Sequence, residues 1–267
     1  MDEIAGNRDF MKCMGTPDSI NSDKQKGIPS PPLFKAAAGE VIELPEFGSA
    51  IKQPDYSQLL EIRRSVRAFK NEPVTGEQLA FMLWSTQGVL KVRKTARFPQ
   101  FRTVASAGAR HTFELYAAIR SADGLNPGVY HYLPGENVGK RRAAVEFVTP
   151  IENYKETMTD MLHGQKWAAL APFVLFFTCI PYRAEWNAGH LAHRVILIDA
   201  GHVGQNVMLS ASSLGLGSCC MAAFNNERCN EVIGLDGENE FTVYAAAVGT
   251  PKNAGKINNN IQEEERT

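Results

Sequence analysis

"HRVILIDAGHVGQNVMLSASSLGLGSCCMAAF", His193–Phe224, reads as a long helix followed directly by a strand. Val195, Ile198, Val203, Val207 and the run Leu209–Leu214 cover much of a helical circumference, which predicts a buried helix rather than a surface one. Gly215 and Gly217 end the helical period, and "SCCMAAF" continues as a buried strand. A helix apolar on most sides needs partners on most sides, so the rest of the chain must supply a sheet and further helices.

It does so in alternation. "FELYAAI" (Phe113–Ile119), "GVYHYL" (Gly128–Leu133), "PFVLFFTCI" (Pro172–Ile180) and "FTVYAAAVG" (Phe241–Gly249) are rich in β-branched and aromatic residues and read as strands. Tyr56–Arg64 reads as a short helix. "TGEQLAFMLWSTQGV" reads as a longer one, with Thr75 as N-cap, Gln78 at capping-box spacing, Leu79, Met82, Leu83 and Thr86 inward, and Gly88 at its end. "IENYKETMTDMLHG" is a third, amphipathic helix. Interleaved strands and helices place the chain in the α+β or α/β class. Neither GxGxxG nor GxxxxGK[ST] occurs, which speaks against a Rossmann or P-loop site.

Three regions follow: an extended, proline-rich arm over residues 1–54, a folded domain over 55–252 and a polar tail over 253–267. The 267 residues are 44% hydrophobic and 21% charged with a net charge of −1, so no overall field draws the chain to nucleic acid or to an anionic membrane. "AALAPFVLFFTCI" is too short to span a bilayer. Cys13, Cys179, Cys219, Cys220 and Cys229 form no CxxC pair, HExxH is absent, and no early apolar signal segment is evident. A cytoplasmic, reducing setting without a zinc site is expected.

Three stretches could carry chemistry. In "SQLLEIRRSVRAF" a helix running into extended chain can converge Arg63, Arg64 and Arg67 beside Ser65, a cradle suited to phosphate. A solvated basic face with Glu61 as ion-pair partner explains the same spacing. In "RTVASAGARHTFELYAAI" the small residues Ser106–Ala109 allow backbone to approach a flat ligand, or form a simple loop. In "GLGSCCMAAF" Gly215 and Gly217 cap a helix and can present N–H groups to a ligand. Cys219 and Cys220 read as core residues, and His193 and His202 as packed helix residues. No GxSxG or Ser/His/Asp set supports a hydrolase.

Taken in order, "RRSVRAF", "QLAFMLWSTQGV", "RTVASAGARHTFELYAAI", "GLNPGVYHYLPG", "DAGHVGQNVMLSASSLGLGSCCMAAF" and "VGTPK" resemble the flavin-dependent nitroreductase superfamily, and within it the SagB-type branch, over residues 55–252. The resemblance implies an α+β fold around a central, mainly antiparallel sheet flanked by helices. It also implies a homodimer with FMN in a cleft between subunits and NAD(P)H as co-substrate. By position, Arg63, Arg64, Ser65 and Arg67 match the phosphate and ribityl segment. Ser106, Ala107, Gly108 and Arg110 match the loop along the flavin ring edge. Gly217 matches the segment lining the other flavin face, and Lys252 a cation near the phosphate. The chain departs from the pattern at Ala105, where proline is usual, and at His111–Thr112. Asn187 and Ala188 stand where azoline-oxidising members of the branch carry Lys-Tyr, and neither can act as a base. The reading that follows is a reductase of flat acceptors such as nitroaromatics or quinones. A peptide azoline dehydrogenase and a non-catalytic flavin-binding scaffold subunit are the alternatives.

Overall fold

In the computed structural model, residues 3–12, 20–93 and 99–252 are described. The elements are, in chain order, α1 (Glu3–Lys12), β1 (Val41–Glu43), α2 (Tyr56–Ile62), α3 (Gly76–Gln87), β2 (Val89–Val92), β3 (Gln100–Arg102), β4 (Phe113–Ile119), β5 (Gly128–Tyr132) and β6 (Ala144–Thr149). There follow α4 (Tyr154–Met161), α5 (Lys166–Ala169), β7 (Phe173–Cys179), α6 (Tyr182–Ala188), α7 (Ala192–Ser213), β8 (Gly217–Met221), α8 (Asn226–Ile233) and β9 (Phe241–Gly249).

Seven strands make one sheet in the order β1-β6-β5-β4-β7-β9-β8, with every neighbouring pair antiparallel. This is the α+β fold around an antiparallel sheet that the sequence predicts. Because side chains alternate along a strand, each central strand feeds two cores. Leu115, Ala117 and Leu175 pack with Leu79, Met82 and Leu83 of α3 and with Val203 and Val207 of α7. Tyr116, Ala118 and Phe176 pack with Met158 and Met161 of α4 and Ile233 of α8. Leu79, Met82 and Leu83 are fully buried, each contributing about 1.5–3 kcal/mol from removal of apolar surface. Thr75 and Gln78 form the expected reciprocal cap of α3.

Several boundaries differ from the sequence reading. The strand "SCCMAAF" is Gly217–Met221 and stops before Ala222, since its ladder with β9 ends at Met221↔Ala245. The helix expected over Tyr56–Arg64 stops at Ile62, because Arg63 adopts ψ 121° and turns the chain extended. Strand β6 and helices α6 and α8 are additional to the elements predicted. For α8 the signals were local: Asn225 accepts the Arg228 N–H as N-cap, and Gly234 takes the left-handed conformation at its end.

Residues 1–54 are less irregular than expected. They hold α1 and also β1, which adds an edge strand to β6. Residues 33–40 cross the sheet end, where a row of charges replaces apolar packing. The Glu146 carboxylate accepts the N–H groups of Ala38 and Gly39 at 2.6 and 2.8 Å. Lys35 Nζ donates to the Tyr116 hydroxyl and pairs with Glu240, both at 2.7 Å. Buried His131 lies 3.0 Å from Glu114 through Nε2 and 3.0 Å from Glu146 through Nδ1. A ring with a carboxylate at each nitrogen is satisfied only as the imidazolium, a donor at both ends. The polar tail expected over 253–267 lies outside the described residues. Among the described residues no helix is long and apolar enough to cross a membrane.

Candidate functional site

Beyond α2 the chain runs along a seam made by two other segments. Ser65 bridges Ser218 in parallel, and Val66 N donates to Ser218 O at 2.9 Å. On the other side Phe69 bridges Pro251, Lys70 N donates to Thr250 O, and Lys252 N donates to Ala68 O at 3.0 Å. Arg63, Ser65, Arg67, Gly217 and Lys252 are therefore gathered at one seam from three distant parts of the chain. Gly217 is required there: a Cβ on it would lie 2.6 Å from Val66 Cγ2 and 2.7 Å from Val66 Cβ.

Among the described residues the cations of this seam have no acidic partner. Among the described residues, the side chains of Arg63 and Arg67 make no hydrogen bond and no ion pair; the Arg67 guanidinium sits 6.0 Å from the Trp167 ring centroid. The Glu61 carboxylate pairs with none of the three arginines. Arg64 instead donates to the carbonyls of Glu61 and Arg63 at 2.7 and 2.8 Å, so it caps the end of α2 rather than joining the cradle. Ser65 and Arg67 are exposed and Arg63 half-buried. Cys219 and Cys220 lie behind them as core residues. Burial raises both thiols, Cys220 to about 11, against the opposing pull of Arg67 and Arg63 respectively.

The second group forms around a 3-10 turn, Ala107–Ala109. Gly108 has φ +60°, and Ala109 and His111 are non-glycine residues at φ +53° and +47°, a strained run that persists only where its surroundings hold it. Asp199 of α7 provides that hold, accepting the Ala107 N–H at 3.1–3.2 Å, while Ser106 Oγ accepts the His111 N–H at 2.9 Å. Burial raises the Asp199 carboxyl above its ordinary value, although Ser106, the Ala107 amide and His202 favour its charge. A cavity of about 400 Å³ opens beside the turn, lined by residues including Gln100, Arg102, Val104, Ser106, Ala109 and His111. Burial, then the nearby Arg102, Arg110 and Arg183, hold His111 down to about 2, so it stays neutral. A larger hollow of about 560 Å³ is lined by Lys155, Glu156, Thr159, Asp160, Gly164 and Lys166 and includes no residue of either group.

The arm closes over this turn. Lys24 N donates to Trp186 O at 2.9 Å and Trp186 Nε1 donates to Ile28 O at 2.8 Å. Tyr182 donates to Asp23 at 3.0 Å, and Lys24 Nζ donates to Asn187 Oδ1 at 2.9 Å. The other end of the Asn187 amide lies against Gly108, where an added Cβ would come within 3.2 Å of Nδ2. Arg110 stacks 5.0 Å over Trp186 and reaches Ser30 Oγ at 3.3 Å.

The two groups do not meet within one chain. Lys52 and Gln53, which lead into α2, are anchored on Ser213 O at the end of α7, whereas the Ser106 turn is anchored on Asp199. At 1.5 Å per residue these anchors are on the order of 20 Å apart along the helix. Among the described residues no hydrogen bond, ion pair or ring contact joins them. Sequence reasoning missed the roles of Lys24, Trp186 and Asp199. An acid inside an apolar helix was a usable signal for Asp199, because a buried carboxylate requires a partner; Lys24 carried none.

Comparison with known proteins gives a consistent assignment. Residues 60–250 match the family model described as the nitroreductase family. A curated protein of Methanocaldococcus jannaschii, named as a nitroreductase, is 31% identical over 208 residues, covering 78% of this chain and 95% of that one. A nitroreductase structure from Ralstonia eutropha matches with TM-score 0.57 and 21% identity, over 82% of this chain and 98% of the other. One from Anabaena variabilis matches with TM-score 0.56 and 23% identity over 82% of this chain, which spans only 45% of that longer protein. The Escherichia coli microcin synthetase complex McbBCD, solved with truncated pro-MccB17 bound, matches with TM-score 0.57 and 18% identity, over 90% of this chain and 85% of the other.

Proposed function

The chain belongs to the nitroreductase family and is an oxidoreductase, and from that premise we propose that it binds FMN and uses NAD(P)H to reduce flat acceptors such as nitroaromatics or quinones. The observation that carries this reading is the pair Arg63 and Arg67, which lack an acidic partner among the described residues at the seam with Gly217 and Lys252. Three cations beside an exposed serine hydroxyl suit a terminal phosphate. Their chemistry fits FMN, and the absence of a dinucleotide motif disfavours FAD.

Held there, FMN would supply the hydride chemistry that links oxidation of reduced nicotinamide to reduction of the acceptor, which implies ping-pong kinetics. In this reading Arg63, Arg67 and Lys252 neutralise the phosphate, and Ser65 donates to it. Gly217 lets Val66 pack close, which seats the arginine segment beside the flavin. Ser106, Ala107, Gly108 and Arg110 border the ring edge, where Arg110 favours negative charge. Arg64 contributes by fixing the end of α2.

A single chain separates its two groups along α7, so one flavin in contact with both needs a second copy of the chain. A homodimer also accounts for Leu197 and Ile198 of α7, which are 55% and 51% exposed. A nitro or quinone acceptor needs no enzymic base, since solvent can supply protons. Azoline oxidation does need one. That second reading is favoured by a specific observation: the arm brings the Lys24 ammonium to Asn187, and its neighbour Asp23 holds the hydroxyl of Tyr182 at the start of the same helix.

Heat-released flavin identified by chromatography tests the cofactor. FMN at about one per chain is expected; FAD would defeat the reading, and a flavin-free protein would indicate a scaffold subunit. Bleaching of the visible band by NADH or NADPH, followed by turnover with a nitroaromatic or quinone, tests the reaction. Efficient azoline oxidation without nicotinamide-driven turnover would favour the second reading.

A further inference from the structure

Elsewhere among the described residues, buried cations are either ion-paired or bonded at every nitrogen, as Arg102 is to Gln100, Gln87 and the Leu33 carbonyl. Arg183 meets Glu114 at 2.6 Å, His131 sits between Glu114 and Glu146, and partly buried Lys35 meets Glu240. Arg110 is the exception. It is only 6% exposed, has no carboxylate partner among the described residues, and its Nε has no hydrogen-bond partner. A second cation lies at the same indole: Lys24 Nζ is 5.7 Å from the Trp186 ring centroid and Arg110 Cζ 5.0 Å. Among the described residues the Lys24 ammonium meets only the neutral amide of Asn187 and the π face. The neighbouring acids are committed elsewhere. Asp23 meets Lys26 and Tyr182, Glu185 meets His193 at 2.8 Å, and Asp199 holds Ala107.

Two cations on one indole, with no counter-charge, leave a positive site against a flat aromatic wall. Gly108 and Asn187 border it, which places it at the turn read above as the flavin ring edge. We infer that Lys24, Arg110 and Trp186 form a subsite for an anionic group on a reacting molecule. That group is the carboxylate of an acceptor or the phosphate of the nicotinamide nucleotide. The inference deepens the reductase reading and rests on it for the identity of the reacting molecules. Lys24, contributed by the arm, is then a specificity-determining residue. It is exposed and makes no buried contact, so its replacement leaves the fold intact.

The full-length protein, as purified, is titrated calorimetrically with 4-nitrobenzoate, with uncharged 4-nitrobenzamide and with NADP+. The same titrations are run on Lys24→Gln and on Lys26→Gln, which removes a neighbouring charge already paired with Asp23. The expected result is nitrobenzoate binding at least about fivefold tighter than nitrobenzamide, the scale of one partly exposed ion pair. Lys24→Gln should remove that margin and leave the amide unchanged, which assigns the site to the acceptor. Loss of NADP+ affinity in Lys24→Gln, with nitrobenzoate unaffected, assigns it to the nucleotide phosphate instead. If Lys24→Gln alters neither, or if Lys26→Gln has the same effect, the subsite does not exist. The visible absorbance of the same samples reports on the flavin separately. Charge-selective binding without flavin sinks only the cofactor reading, and flavin without charge selectivity sinks only the subsite.

Discussion

Gly217 lies so close to Val66 that a Cβ at position 217 would sit 2.6 Å from Val66 Cγ2, inside any tolerated contact. The contact joins the first residue of β8 to the segment that carries Arg63, Ser65 and Arg67. Gly217→Ala should therefore push that segment off the seam. The expected cost is about 1–3 kcal/mol of stability, typical of overpacking, together with weaker flavin retention. Thermal denaturation and flavin release measure the two effects. Adding Val66→Gly, which removes the Cβ that lies 2.7 Å away as well as both methyls, should restore flavin retention; no recovery in the double variant would show that the contact does not position the arginines.

Arg63→Ala and Arg67→Ala remove cations that have no ion pair to lose among the described residues. Each should weaken FMN binding roughly ten- to hundredfold, the loss of a charge-assisted hydrogen bond worth about 1.5–3 kcal/mol. The melting temperature of the flavin-free protein should hardly move. A collapse of apoprotein stability with unchanged flavin affinity would make these arginines structural. Arg64→Ala should behave differently, with little effect on affinity and a modest loss from the uncapped end of α2.

The charge row under the arm gives stability two pH limbs. Burial opposes the charge on Glu114, but the His131 hydrogen bond and Arg183 win and lower it to about 2. Its contribution is present above its ordinary 4.5 and is lost as pH falls toward 2. Burial likewise opposes the charge on His131, and its bonds to Glu114 and Glu146 overcome this and raise it above 6.5. That contribution is complete below 6.5 and is lost as pH rises through the raised value. Urea unfolding across pH should show both limbs, and His131→Gln should abolish the alkaline one. Tryptic cleavage after Lys24 or Lys26 should accelerate along the same alkaline limb, since Glu146 also holds Ala38 and Gly39. Cleavage independent of pH would disconnect the arm from His131.

Asp199 responds to pH in the opposite sense from Glu114. Its folded value is raised, mainly by burial, so its ionisation costs stability as pH climbs from 3.8 through that value. Asp199→Asn should remove this slope while keeping an acceptor for the Ala107 N–H. Asp199→Ala leaves that N–H without a partner and should cost about 1–3 kcal/mol and loosen the Ser106 turn. Equal stability of the two variants, compared by denaturant titration at pH 7, would contradict the tether.

Leu197 and Ile198 are large, exposed and adjacent on α7. Leu197→Asp with Ile198→Asp should convert a dimer to monomer in light scattering and release flavin, since the Ser106 turn and the Arg63 seam would no longer share it. A wild-type protein that is monomeric and FMN-loaded would contradict the shared-site arrangement.

Local chemistry alone determined a large part of this protein. The apolar circumference of residues 193–214 predicts the buried helix, and the runs at Phe113, Phe173 and Phe241 predict three central strands. Thr75 and Gln78 predict the capping box. The clustered arginines indicate an anion before any contact is known. Each of these signals is complete within a few residues, because helix periods, caps and charge spacing act between near neighbours. Other features were decided only in three dimensions. "AVEFVT" becomes β6 because β5 and β1 flank it, and "VIE" becomes β1 because β6 offers an open edge. Lys252 reaches the arginine seam through the Phe69–Pro251 bridge, and Lys24 meets Asn187 across 163 residues of chain. Asp199 finds its partner in a turn 92 residues away. Such pairings depend on where closed loops bring backbone together, and the side chains at either end carry no local trace of the partner they will meet.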